Sequence, residues 1–196
     1  LVNVREGGTF FHGEISGRLG LEKRLKFESA SLKIESYSGV EAMHKPIVRE
    51  DLIYDDGSLV ENFDDYDVIL VLDDILDGGN TMLAILGHLK NKAIKQKIDF
   101  AFLFQKEVNN TSTIGLEKSS HNSRIKNGIL IPHEFIVGGN LDLILSGNNN
   151  LQDLHLFRNI PDVYALNSHL IMDLRQKYRS NPSHIIELFN EFITDK

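Results

Sequence analysis

The sequence predicts an α/β fold: a mainly parallel sheet flanked by helices, with a C-terminal helical appendage. Three observations lead there. Apolar runs bounded by turn residues alternate with stretches of helical period, the pattern of repeated strand–helix–strand units. One of those runs, Val68-Ile69-Leu70-Val71-Leu72, is continuously apolar, as a strand covered on both faces requires. Residues 167–196 instead hold two amphipathic stretches with no strand between them.

With 196 residues, the chain is somewhat longer than an average domain of about 150 residues and can bury one sizeable core. Its composition, 41% hydrophobic and 25% charged, is ordinary globular usage that excludes disorder, collagen and a membrane span. Acidic residues outnumber basic ones by 28 to 21, for a formal charge of −7. That sign argues against nucleic acid or an anionic membrane as partner and for a small ligand or a cation. With no cysteine, disulfides, thiolate nucleophiles and Cys-ligated zinc are excluded, which is consistent with a reducing, cytoplasmic compartment. Leu1–Gly8 lacks the basic region and cleavage site of a signal peptide. The chain begins without Met, directly on an apolar run, so a preceding segment is expected.

Taken in order, Leu1–Arg5 reads as a strand and Gly7-Gly8 as a turn. Phe10–Leu19 reads as a helix, with Phe10, Phe11, Ile15 and Leu19 roughly in phase, and Ser31–Ser36 as the next strand. Tyr37–Tyr66 mixes Gly, Pro and many acids, which predicts a long loop with a short hairpin around Lys45–Tyr54. After the Val68–Leu72 strand, Met82, Ile85, Leu86 and Leu89 recur at helical period. Ile98–Phe104 is a second buried-strand candidate, Asn109–Asn127 a polar loop, and Phe135–Val137 a short strand. Asn167–Tyr178 and Pro182–Ile193 are the two C-terminal helices, so the expected division is a domain over 1–166 and a helical extension over 167–196 packed on it.

The chemistry concentrates in Val68–Met82. A buried strand delivers Asp73, Asp74 and Asp77 into a turn, Gly78-Gly79 lets backbone amides approach a ligand closely, and Asn80-Thr81 opens a helix. Amides and a hydroxyl at a helix N-terminus make an anion site. Carboxylates beside it would repel a phosphate unless they bind something else, and vicinal sugar hydroxyls or Mg²⁺ are the natural candidates. A solvated acidic turn is the alternative for the Asp-Gly-Gly-Asn stretch alone; the preceding buried strand argues against it. Neither the Walker A lysine nor the Rossmann glycine spacing is present. None of the eight histidines shows a metal-binding spacing, and Asp55, Asp56, Asp64 and Asp65 read as a solvated loop face.

The run Asp73-Asp74-Ile75-Leu76-Asp77-Gly78-Gly79-Asn80-Thr81 resembles the signature of the type I phosphoribosyltransferases: two acids, two apolar residues, Asp, a small residue, Gly, any residue and Thr. Within that group the chain resembles the hypoxanthine-guanine phosphoribosyltransferases. The resemblance implies the type I phosphoribosyltransferase fold and a purine-salvage reaction. In it, the phosphoribosyl group of phosphoribosyl pyrophosphate (PRPP) passes to a 6-oxopurine with Mg²⁺, giving a purine 5′-mononucleotide and pyrophosphate. Asp73 and Asp74 would hold the ribose hydroxyls and the metal. Asp77 would act catalytically at N7 of the purine, and Gly78, Gly79, Asn80 and Thr81 would cradle the 5′-phosphate.

Three more segments fall in the family's order, so the likeness spans residues 1–166. Arg5-Glu6-Gly7-Gly8 followed by Phe10-Phe11 is similar to the pyrophosphate loop. Ser36-Tyr37 matches the opening of the mobile loop. Ile131–Gly138 followed by Asp142 resembles the base-binding segment, in which Phe135 would stack on the purine, Ile136 would offer its backbone, and Asp142 would lie near the metal. Lys106 would donate to the purine 6-oxo group. From the residues alone, Phe135 reads equally as a core aromatic and Lys106 as a solvated strand-end lysine. Two departures stand out. The lysine of the pyrophosphate loop is replaced by Glu6, so that either Arg5 compensates or the local role has changed, and the pyrophosphate arginine has its match in Arg158 only after an insertion. The expected partners are PRPP and a purine base, in a homo-oligomer. The alternative is a phosphoribosyltransferase-like regulatory protein that binds nucleotide and catalyses weakly or not at all.

Overall fold

In the computed structural model the described residues are 1–22, 25–38, 41–91, 96–107, 124–131, 135–137 and 164–166, with residues 169, 172 and 176. Of these, residues 37–38, 41–44, 91, 135–137 and 164–166 are described by their backbone alone. The elements run β1 (Val2–Val4), α1 (Thr9–Gly20), β2 (Ala30–Ser38), β3 (Glu41–Tyr54), β4 (Val68–Leu76), α2 (Asn80–Asn91), β5 (Lys97–Lys106) and β6 (Ile125–Ile131). Two short strands follow, β7 (Phe135–Val137) and β8 (Tyr164–Leu166).

Strands β1 to β6 form one sheet in the order β3-β2-β1-β4-β5-β6. The pairs β1–β2, β1–β4, β4–β5 and β5–β6 are parallel, as expected where helices connect successive strands. The chain leaves β1 toward one side of the sheet and leaves β4 toward the other, so the order reverses between them. Ligands of open α/β sheets bind outside the carboxyl ends of the strands at such a reversal. The loops after β1 and β4 are the two segments that the fold brings there.

Burial on both faces explains the continuous apolar run of β4, in which Ile69, Val71, Leu72 and Leu76 are all buried. Against the sheet, α2 presents Met82, Ile85, Leu86 and Leu89 at helical spacing, every one buried. Each such side chain contributes about 1.5–3 kcal/mol by leaving water. The last turn of α2 carries Lys90, whose ammonium complements the helix dipole. The helix α1 covers the predicted span but buries none of its side chains fully: Phe10 is 47% exposed, and Phe11, Ile15 and Leu19 are half-buried. No described helix is long and apolar enough to cross a membrane.

Two expectations are corrected. Within Tyr37–Tyr66, expected as a long loop with a short hairpin around Lys45–Tyr54, Glu41–Tyr54 is instead the fourteen-residue strand β3. As an edge strand it buries Leu52 but exposes Lys45, Ile47, Arg49 and Glu50, so it lacks the apolar alternation that announces a half-buried strand. It is tied in by polar side chains: Arg49 pairs with Glu35 of β2 and Arg5 with Glu50, and His88 of α2 stands 2.8 Å from Asp51. Pro46 is compatible with such an edge position. The loop expected to run to Asn127 ends earlier, because β6 begins at Ile125. Its outer position leaves Lys126 and Asn127 in water, while the Arg124 backbone N–H and guanidinium donate to Asp99 of β5 at 2.9 and 3.1 Å.

The chain divides into two compact units, residues 1–36 with 43–133, and residues 37–42 with 134–196. In the second, β7 and β8 pair antiparallel, Phe135 opposite Leu166. The two expected C-terminal helices lie outside the described residues, apart from His169, Met172 and Gln176, which are helical and exposed.

Candidate active site

Strand β4 continues past the apolar run, so Asp73 and Asp74 belong to the ladder and the turn begins only at Asp77. Asp73 pairs in register with Phe102 of β5 and is 7% exposed. That disposes of the solvated-turn reading for this acid. Burial, with the Asp74 carboxylate beside it, raises the Asp73 carboxyl well above the ordinary carboxylate range. The two side chains also brace the strand end locally: Asp73 Oδ1 accepts from the Asp74 N–H at 3.0 Å, and Asp74 Oδ1 from the Ile75 N–H at 2.7 Å.

Across the sheet reversal, the Asp74 carboxylate lies against the loop after β1. A Cβ placed on Gly7 would stand 2.2 Å from Asp74 Oδ2, so the contact exists because residue 7 has no side chain. This loop, Arg5–Gly8, closes with the Gly8 N–H donating to Val4 O at 3.0 Å and leads straight into α1. Beside Gly7, Glu6 adopts φ +77°, a left-handed conformation unusual for a residue with a side chain. Its carboxylate is 2.9 Å from the Lys33 ammonium of β2.

After β4 the chain turns through Asp77, Gly78 and Gly79 into α2. Gly79, at φ +81°, is where the turn requires glycine. Its carbonyl accepts from the Leu83 N–H at 3.0 Å, so Asn80 and Thr81 stand at the helix start, as the anion-site reading expects. Thr81 Oγ1 donates to Ser36 Oγ of β2 at 2.9 Å, bringing two of the predicted site residues together.

Asp77 turns toward β5. Lys106, at the end of that strand, donates from Nζ to Asp77 Oδ2 at 2.9 Å. Lys106 is 5% exposed, which overturns the solvated-lysine alternative. The carboxyl ends of β2, β1, β4 and β5 thus carry Ser36, the Arg5–Gly8 loop, the Asp73–Thr81 segment and Lys106 along one edge of the sheet.

Other candidates lie elsewhere or beyond description. Asp142 and Arg158 are outside the described residues, as are the side chains of Tyr37, Phe135 and Ile136; the strand holding Phe135 and Ile136 belongs to the second unit. Arg5, expected at the pyrophosphate, pairs with Glu50 of β3. Sequence reasoning missed Lys33, which lies on the strand predicted to follow in sequence, three positions before Ser36, with nothing local to place it at the loop.

Among the described residues no group of three or more His, Asp or Glu side chains could hold a metal ion by itself. Mg²⁺ in phosphate chemistry is commonly held by one or two carboxylates plus substrate oxygens and water. The adjacent carboxyls of Asp73 and Asp74, one of them buried and short of compensating charge, fit that donor set.

Comparisons with known proteins agree with this fold. A hypoxanthine phosphoribosyltransferase from Staphylococcus aureus superposes with a TM-score of 0.53 at 21% identity, covering 86% of this chain and 76% of that one. The hypoxanthine-guanine phosphoribosyl transferase of L. donovani superposes with a TM-score of 0.56 at 19% identity, covering 86% and 77%. At such identities the likeness is one of fold. No curated protein matches the sequence. The phosphoribosyl transferase domain family model matches residues 1–126, a stretch containing both loops at the sheet reversal. By that match, over most of its length, the chain belongs to the phosphoribosyl transferase domain family.

Proposed function

We propose that the protein transfers the 5-phosphoribosyl group of PRPP to a 6-oxopurine, forming the C1–N9 bond of a purine 5′-mononucleotide as the C1–oxygen bond to pyrophosphate breaks. The observation that carries this reading is the Lys106–Asp77 pair, an ammonium 2.9 Å from a carboxylate at the mouth of the sheet. A 6-oxopurine presents O6 and N7 side by side on one edge. With a proton on N7, that edge offers one acceptor and one donor, matched by Lys106 and Asp77 respectively. A 6-aminopurine offers a donor where Lys106 also donates, and is disfavoured by a lost hydrogen bond and a buried repulsion.

The residues divide the work. Asp73 and Asp74 hold the ribose hydroxyls, and Gly78–Thr81 receive the 5′-phosphate at the start of α2, where backbone N–H groups favour an anion. Positive charge grows on the sugar as pyrophosphate leaves, and Asp77 accepts the imidazole proton as N9 bonds to C1, a general-base role. Asp73 and Asp74 are the residues that would hold Mg²⁺, which when bound would supply positive charge against the leaving diphosphate. Tyr37, Phe135, Ile136, Asp142 and Arg158 keep the roles that the family resemblance implies. The test is turnover of hypoxanthine, guanine and xanthine with PRPP and Mg²⁺, followed by pyrophosphate release, with adenine as control. Turnover of the oxopurines alone supports the reading; adenine as the preferred base overturns it, and nucleotide binding without any turnover favours the regulatory alternative.

A further inference from the structure

We propose that Lys33 is the cation that receives the diphosphate at the loop after β1, and that Glu6 is the counter-ion it gives up. The inference rests on the phosphoribosyl-transfer reading and names a residue which that reading leaves out. The loop's place suits a phosphate-bearing ligand: it stands at the sheet reversal and leads into α1, with Gly7 half-buried against Asp74 and Gly8 buried, its N–H donating to Val4 O. Its charge does not, because a carboxylate, Glu6, occupies the loop itself. A diphosphate brought next to Glu6 would be repelled unless a cation enters with it.

Two basic side chains border the loop. The guanidinium of Arg5 bonds to Glu50 on β3. In the order β3-β2-β1-β4, that partner lies beyond β2, on the side away from the reversal between β1 and β4. Lys33, on the intervening β2, reaches back instead, with its Nζ 2.9 Å from Glu6 Oε1. Backbone pairing fixes this arrangement, since the Arg5 N–H donates to Leu32 O at 2.9 Å and holds the start of the loop beside Lys33. The ammonium therefore already stands at the loop.

Exchange of partners is cheap. The Lys33 and Glu6 side chains are 33% and 43% exposed, and an ion pair so open to water contributes little. A diphosphate brings several charges and multiple acceptor oxygens to the same ammonium, so it displaces a single carboxylate. The left-handed φ of Glu6 places its side chain at a position of backbone strain that the fold retains. In this chain the positive charge has moved from the loop to the neighbouring strand.

Direct titration calorimetry with inorganic pyrophosphate, PRPP and a purine 5′-monophosphate, in Mg²⁺ buffer, tests the assignment without relying on turnover. Lys33→Met is expected to weaken pyrophosphate and PRPP at least tenfold while leaving the monophosphate within about twofold, and Lys33→Arg to restore most of the loss. Glu6→Gln is expected to tighten both diphosphates, and to lose that effect in a Lys33→Met background. Thermal unfolding of each variant guards against misfolding, and a destabilised Lys33→Met is replaced in the comparison by Lys33→Gln. Unchanged diphosphate affinity in the Lys33 variants, or weaker binding in Glu6→Gln, overturns the assignment while the phosphoribosyl-transfer reading stands. A wild-type protein that binds neither diphosphate overturns both.

Discussion

Lys106 and Asp77 face each other across 2.9 Å, one from the end of β5 and the other from the turn after β4. Their side chains are 6% and 24% exposed, so the charges interact where water screens them weakly. Replacing Lys106 by Met, which keeps the chain length, is expected to weaken 6-oxopurine binding by about 1.5–3 kcal/mol, the range of a hydrogen bond to a charged group. PRPP affinity should be unchanged. Titration of the two ligands separately checks this, and an equal loss for both would point to a disturbed fold.

Asp77 and Asp74 should fail differently when neutralised. Asp77→Asn keeps the shape but removes the proton acceptor, and turnover is expected to fall by about 10²–10⁴ while PRPP still binds. Asp74→Asn removes contacts that exist before the transition state as well as in it, so the loss should appear mainly in PRPP affinity. Steady-state kinetics with direct PRPP titration on both variants separates the roles. Near-normal turnover in Asp77→Asn would remove its catalytic assignment.

Asp73 carries a stability cost with a definite pH sign. Burial and the neighbouring Asp74 raise its carboxyl above the ordinary value of 3.8. Between that value and the raised one the native state holds a proton that the unfolded chain has lost, so this group makes stability fall as pH rises. Asp73→Asn does not titrate. Its melting temperature should match wild type near pH 3.5 and exceed it at pH 7–8, while PRPP binding is lost. Melting curves across this range check the prediction, and a variant less stable than wild type at pH 8 contradicts it.

Three single-methyl changes distinguish steric demand from mere flexibility in the loops. At Gly79, φ +81° makes Ala cost about 1–2 kcal/mol of stability. At Gly7 an added methyl group meets Asp74 Oδ2, so Gly7→Ala should displace that carboxylate and weaken PRPP with a smaller effect on stability. Nothing lies within 4 Å of a Cβ at Gly78, and Gly78→Ala should be tolerated. Denaturant unfolding and PRPP titration on the three variants give the pattern.

What the sequence disclosed follows from how each residue is used. Strand β4 and helix α2 were legible because both bury apolar side chains, and burial writes its period into the sequence: Ile69, Val71 and Leu72 in one, Met82, Ile85 and Leu89 in the other. The Asp73–Thr81 segment was legible because its acids and glycines follow one another closely in the chain, at the end of β4 and in the turn after it. Strand β3 was hidden, since an edge strand held by Glu50–Arg5 and Asp51–His88 needs no apolar alternation. Lys106 was ambiguous, because a buried lysine and a solvated one have the same letter, and only the carboxylate of Asp77 opposite distinguishes them. Lys33 escaped because its relation to Glu6 depends on β1 and β2 lying side by side, a pairing that no local pattern states.

The contact of Gly7 with Asp74 also bears on the order in which the chain can fold. Strand β4, helix α2 and strand β5 are consecutive, so that half of the sheet assembles from nearby chain and needs little loop closure. Joining β1 to β4 means closing the whole intervening stretch of α1, β2 and β3, which is paid for in chain entropy before any contact repays it. The loop proposed to receive the diphosphate lies on that seam. A chain arrested before the seam closes would lack the contact of Gly7 with Asp74 even with Phe100 and Leu89 already packed, so the ability to bind PRPP is expected to appear only once the seam has closed.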